Sequence, residues 1–247
     1  RLRSENFGTP DPHLAKHKAD VVFAFFGFNE SFAGQAGLER LKRDLDKTLK
    51  GMSEQKYNGK SAPRLVLFSP IAHENLQDPN LPDGTENNRN LKLYTEAMAA
   101  VAKEDGVLFV DLFTASQALY AKPSKPVTID GVHLGAYGDK LLAPLIVQAL
   151  FPNQPSPKLD TAGLEKLRAA VVDKDFYWFE RYRTVDGYNV YGGRSQMRYA
   201  ENISNWDVFQ REMEVLDVMT ANRDQRIWAV AQGSDRKVDD SNTPPFI

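Results

Sequence analysis

The 247-residue chain has no cysteine. That excludes disulfides, thiolate nucleophiles and cysteine-ligated metal, but says nothing of the compartment, since exported proteins often lack the residue. It has only four histidines, two of them near the start, so three or four converging metal ligands are not expected and no cofactor is implied. Charge of one sign is also lacking: 31 Lys and Arg stand against 33 Asp and Glu, a formal net charge of -2. Such a balance gives no electrostatic reason to bind nucleic acid or an anionic membrane. No apolar run approaches the roughly 20 residues needed to span a bilayer, and no internal repeat is present.

What the chain does have, over 1–150, is alternation of strand and helix patterns. "ADVVFAFFG" (19–27) is a continuous apolar run, as a strand covered on both faces requires. Leu38, Leu41, Leu45 and Leu49 then recur at helical spacing, with Gly51 placed to end the helix. "RLVLFSP" (64–70) predicts a second strand, and a Pro/Asn/Asp-rich loop follows over 71–88. Leu91, Tyr94, Met98 and Val101 mark a helix stopped at Gly106, "VLFVD" (107–111) a third strand, and 136–150 a last helix. Strand alternating with helix predicts right-handed crossovers and an α/β fold, a parallel sheet between two helical layers.

After the proline-rich stretch 151–160, read as a linker, the composition changes. A mainly helical extension is expected over 161–247: a helix at 160–183, an irregular stretch around Gly187, Gly192 and Gly193, and a helix from about 205 with Ser204 and Asp207 at its start. Residues 176–199 interleave eight aromatics with Arg181, Arg183, Arg194 and Arg198. These rings have three readings: a cap over a sugar-binding rim, an interdomain dock, or packing of the extension. Single-strand nucleic-acid binding also uses such interleaving, but a net negative chain disfavours it.

In parallel sheets ligands gather at the carboxyl ends of the strands. Here those ends carry Gly27-Phe28-Asn29-Glu30, Ser69-Pro70 with His73 beyond, and Asp111; the turn Asp130-Gly131-Val132-His133 precedes the last helix on the same rim. Asp130, three residues before His133, suits a carboxylate that orders an imidazole and stabilises its protonated form. It equally suits a helix cap beside an ordinary surface histidine. Asn29 directly after a buried strand suits an amide donor aimed at an oxyanion, with Gly27 allowing a sharp turn and offering an unshielded N–H; Asn29 also suits a plain turn. His73 is a candidate to line the pocket or to anchor the loop.

Gly27-Phe28-Asn29-Glu30 resembles the G-x-N-D block of the SGNH (GDSL-type) hydrolases, and Asp130-Gly131-Val132-His133 resembles their final D-x-x-H block. The text "FFGFNESFAG", "LFSPIAHEN" and "FVDLF" is similar to SGNH domains of large, exported multidomain proteins in planctomycete-type bacteria. The resemblance covers about 1–150 and implies a flavodoxin-like three-layer fold. It implies Asn29 as oxyanion donor, His133 as general base and Asp130 as its orienter, with Glu30 in place of the usual Asp. It further implies export and further domains in the same polypeptide.

The resemblance lacks one part: the family's nucleophile lies in a Gly-Asp-Ser block, and none occurs here. Gly8 is a weak stand-in for the second-block glycine, Ser4 has no strand before it, Ser31 reads as a helix start and Ser69 as structural. The chain begins at Arg1 and ends at "SNTPPFI" without a terminal element. It therefore reads as a piece of something longer, with the serine and the first strands upstream and the strand at 20–26 left with an exposed apolar edge. The expected function is a serine esterase acting on small esters, acetyl groups on carbohydrate above all, inactive without its upstream part. The alternative is a non-catalytic glycan-binding or scaffolding module.

Overall fold

The structure, a computed structural model, describes residues 9–121, 124–154, 160–183 and 186–247. Ser4, Gly8 and positions 155–159 of the expected linker lie outside the described residues. The chain divides into two compact units, Arg1–Gln154 and Pro155–Ile247.

In the first unit three parallel strands lie in sequence order: β1 (Val21–Phe25), β2 (Arg64–Phe68) and β3 (Leu108–Val110). Val22 is in register with Leu65 and Phe68 with Val110. Helix α1 (Pro10–Lys16) comes before β1, and its Asp11 accepts a 2.6 Å hydrogen bond from the Tyr57 hydroxyl. The polar composition at 10–16 hides this helix from a periodicity reading; Pro10 in its first turn is the local start signal.

Between β1 and β2 lie the single turn α2 (Phe28–Ser31), a 3₁₀ turn (Gly34–Gly37) and α3 (Leu38–Ser53). Leu38, Leu41, Leu45 and Leu49 of α3 are buried, as their spacing requires. They pack with Tyr94, Met98 and Val101 of α4 (Thr85–Glu104) on Val22, Ala24, Leu65 and Leu67. Each such leucine taken out of water stabilises the fold by about 1.5–3 kcal/mol before chain entropy.

The other face of the sheet shows Val66, Phe68 and Val110, covered by Leu142, Leu145 and Ile146 of α6 (Ala136–Leu150). Between β3 and α6 stands α5 (Leu112–Tyr120), where the pattern gave no helix. Asp111 starts it, accepting from the Thr114 N–H (2.8 Å) and hydroxyl (2.7 Å). Asp111, placed on the reactive rim from the sequence, is thus committed to a helix cap.

Among the described residues β1 pairs with β2 alone. Its alternate residues Val21, Phe23 and Phe25 are exposed, Phe25 at 58%. Phe25 stacks on the fully buried Phe68 ring at 4.4 Å between centroids, and Phe23 meets the same ring edge-on at 5.1 Å.

In the second unit α7 (Thr161–Tyr182) packs along α9 (Asn205–Ala231), with the single turn α8 (Gly187–Val190) between them in sequence. Asp160 caps α7, and Ser204 with Asp207 forms a capping box on α9. The buried Arg223 guanidinium lies 3.5 Å from the Tyr177 ring centre and pairs with Asp173 (3.3 Å) and with Asp240 (3.1 Å) of the terminal segment. Of the aromatic run, Phe176, Trp178, Phe179, Tyr182, Tyr188, Tyr191 and Tyr199 are exposed. Among the described residues no helix is long and apolar enough to cross a membrane.

Candidate active site

The chain leaves β1 at Phe25 and turns sharply at Gly27, whose φ is 98°. A side chain there would be strained by the positive φ, which favours glycine, and its Cβ would also displace the Met98 Sδ, 2.5 Å away. The Gly27 N–H is not free, however: it donates to Glu30 Oε2 at 3.0 Å. The expectation of an unshielded donor is corrected by this contact, which uses the extra methylene of Glu30 to reach back over the first turn of α2. Gly27 shapes the rim, and Asn29 is left to present a donor. The Asn29 side chain is exposed and makes no hydrogen bond among the described residues.

Across the rim, residues 127–135 form a small loop closed on itself. Ile129 N–H donates to the His133 carbonyl (2.8 Å), and Gly135 N–H to that of Val127 (3.1 Å). Asp130 Oδ1 accepts from the N–H groups of Val132 (3.0 Å) and His133 (2.8 Å). Its other oxygen, Oδ2, lies 2.7 Å from His133 Nδ1. Asp130 therefore both caps the turn and holds the imidazole, joining two roles that the sequence set against each other. With the Nδ1 proton directed at Asp130, Nε2 is the acceptor, on a side chain 72% exposed.

Hydrogen bonding from the His133 ring, then from the two backbone N–H groups, lowers the Asp130 carboxyl to about 2, from an ordinary 3.8. The folded value lies below the unfolded one. The contact therefore contributes its full stability above about pH 4, loses it as pH falls through about 2, and keeps Asp130 ionised at any working pH. A carbon-detected NMR titration of Asp130 Cγ is expected to show a midpoint near the lower value. In His133→Ala that midpoint moves up toward the ordinary range, because the largest cause of the depression is gone.

Asn29 and His133 line one cleft of about 630 Å³, with Phe26, Pro70 and Ile146 among its apolar walls. The serine among the described lining residues is Ser69, 1% exposed. Its hydroxyl accepts from the N–H groups of Leu112 (2.8 Å) and Phe113 (3.0 Å) and donates to the Pro70 carbonyl (3.1 Å). Ser69 thus ties the end of β2 to the start of α5. The Ser31 hydroxyl is buried and donates to the Phe28 carbonyl at 2.6 Å.

His73, a candidate to line the pocket, lies elsewhere. It is 5% exposed, beneath the 127–135 loop, and a Cβ at Gly131 would come within 2.5 Å of its Nε2. Its backbone is clamped by Asn88, which accepts from the His73 N–H (2.7 Å) and donates to its carbonyl (2.8 Å); Asn87 Nδ2 lies 3.1 Å from the ring Nδ1. Burial under the loop corrects the pocket-lining expectation, and the loop-anchoring reading fits these contacts. The neighbouring Glu74 and, across from it, Thr128 carry a hydrogen-bond network that sequence reasoning did not find. The signal was a His-Glu pair on the rim, but a partner 54 residues away leaves no local trace. Among the described residues no group of three or more His, Asp or Glu side chains could hold a metal ion.

A family model described as GDSL-like Lipase/Acylhydrolase matches residues 3–141, more than half of the chain. The chain belongs to this family. The matched stretch has the family's α/β fold, a parallel sheet with flanking helices, and the helical C-terminal region lies beyond the match. Among solved structures, a variant of an acetyl-xylooligosaccharide esterase from Geobacillus is 17% identical with a TM-score of 0.44; the match covers 59% of this chain and 65% of that one. An acetylxylan esterase from Geobacillus stearothermophilus is 18% identical at a TM-score of 0.41, covering 55% and 61%. A lipase/acylhydrolase from Enterococcus faecalis is 20% identical at 0.40, covering 61% and 70%. The chain thus spans less than two thirds of either Geobacillus structure. No curated protein matches it.

Proposed function

We propose that this GDSL-family chain carries the base, orienter and oxyanion side chain of a serine esterase, with the nucleophilic serine supplied from upstream of Arg1. The observation that carries the reading is the 2.7 Å contact between Asp130 Oδ2 and His133 Nδ1 on the cleft that Asn29 also lines. His133 Nε2 takes the serine proton as its oxygen attacks the ester carbonyl. The Asn29 amide donates to the oxyanion so formed. The proton then passes to the departing alcohol, leaving an acyl-enzyme that water hydrolyses by the same steps. Asp130 stays ionised and supports the imidazolium.

An upstream serine is supported by what the local serines do. The Ser69 and Ser31 hydroxyls are tied into backbone contacts, and among the described residues β1 pairs with β2 alone. The substrates this reading names are small acyl esters, acetylated carbohydrate first.

The test is turnover of p-nitrophenyl acetate and of acetylated xylan by a chain extended upstream. Asn29→Ala in that chain is expected to lower kcat about 10²–10³-fold, the usual effect of losing one oxyanion donor, with KM little changed. An extended chain that binds acetylated glycan but hydrolyses neither ester would overturn the reading in favour of a binding module. Efficient labelling of the chain from Arg1 by a fluorophosphonate would instead place the nucleophile within it.

A further inference from the structure

The Asp130–His133 pair is exposed, with side chains 40% and 72% accessible. Such a pair has little packing of its own to hold it, and ordering its side chains costs entropy. The turn contacts of Asp130 hold the pair locally, and the loop that carries them is anchored from below. We propose that Glu74, with Thr128 as its relay, is the positioning residue that holds the 127–133 loop so that Asp130 meets His133.

Glu74 is 5% exposed. Its carboxylate accepts from the N–H of Val127 (3.1 Å to each oxygen), the N–H of Thr128 (2.7 Å) and the Thr128 hydroxyl (2.6 Å). All these partners are donors, and a carboxylate is the side chain that offers acceptors alone; an amide would turn an NH₂ toward an N–H. A carboxyl group buried without such partners would be strongly disfavoured, so the network fixes the loop and the acid together.

Thr128 carries the effect onward. Because its hydroxyl proton is given to Glu74, its lone pairs are free to accept the Gly131 N–H at 3.0 Å. The Gly131 carbonyl in turn accepts the Glu74 N–H at 2.8 Å. The residue between Asp130 and Val132 is therefore held from both sides, at a φ of 94°. His73 lies beneath it, clamped to the first turns of α4 by Asn87 and Asn88. The path runs from α4 through His73 and Glu74 to Gly131, and so to the Asp130 carboxylate.

This inference rests on the base-and-orienter reading of Asp130 and His133, and its test keeps the two apart. The readout is the ring tautomer of His133, followed by long-range ¹H–¹⁵N NMR of the chain as it stands. Wild type is expected to hold its proton on Nδ1. Thr128→Val removes one hydroxyl at nearly constant volume; it is expected to raise the Nε2–H tautomer severalfold while the amide spectrum of β1–β3 is retained, and Thr128→Ser to restore wild type. Glu74→Gln is expected to act as Thr128→Val does. If Asp130→Asn shifts the tautomer while Thr128→Val and Glu74→Gln both leave it unchanged, the positioning role is overturned and the pair stands. If Asp130→Asn itself changes nothing, the pair is not formed in solution, and the positioning role falls with it. Should Glu74→Gln unfold the chain, the two Thr128 variants carry the test.

Discussion

His133→Ala, made in a chain that carries the nucleophile, is expected to lower kcat for p-nitrophenyl acetate about 10⁴-fold or more, the scale seen when a triad member is lost. KM is expected to stay within a few-fold, because an imidazole acting as base works in the transition state and adds little to ground-state binding. Asp130→Asn is expected to fall nearly as far for a different reason. An amide in place of Oδ2 no longer requires a proton on Nδ1, so Nε2 is free to become the protonated nitrogen and cannot accept from serine. The two Asp130 oxygens do separate work, Oδ1 on the Val132 and His133 N–H groups and Oδ2 on the ring. The loop backbone is therefore expected to survive in Asp130→Asn, and unchanged backbone amide shifts would check that. Full activity in His133→Ala would remove the base from the mechanism altogether.

Phe68→Ala is the second large effect, this one on stability, and is expected to cost about 3–5 kcal/mol, as other buried aromatic truncations do. Phe68 is fully buried where β2, β3 and α6 meet, and Phe25 and Phe23 of β1 lean on its ring. Its removal leaves a cavity that two half-exposed rings cannot fill without losing their register on β2. The choice of probe matters, because all three tryptophans, Trp178, Trp206 and Trp228, lie in the second unit. Amide hydrogen exchange at β2 and β3 is the informative measurement. Exchange there is expected to accelerate strongly. Wild-type protection at Leu67 and Val110 in Phe68→Ala would show that the sheet does not depend on this ring.

The sheet and its covering helices were legible because burial leaves a period in the text. Leu38, Leu41, Leu45 and Leu49 face one core and recur at three and four, and after the exposed Arg64 "LVLF" is apolar without a break because β2 is covered on both sides. The caps at Ser204 and Asp207 were legible because capping is a contact three residues long. The helices at Pro10–Lys16 and Leu112–Tyr120 were not. The first is too polar to show a stripe. The second is set off by Asp111, a residue that in text looks as reactive as Asp130.

The same limit divides the site. By itself the sequence determined the short-range parts: a glycine where φ is positive at Gly27, an amide one turn after the strand at Asn29, and a carboxylate three residues before an imidazole at 130 and 133. These are local relations, and local sterics and hydrogen bonding settle them. Only the tertiary structure decided what each donor and acceptor was already bound to. It gave the Ser69 hydroxyl to the start of α5, the His73 ring to the floor of a loop, and Glu74 to a threonine far along the chain. Most polar groups buried by folding find a partner. Where that partner is distant in sequence, the packing of the folded chain chooses it.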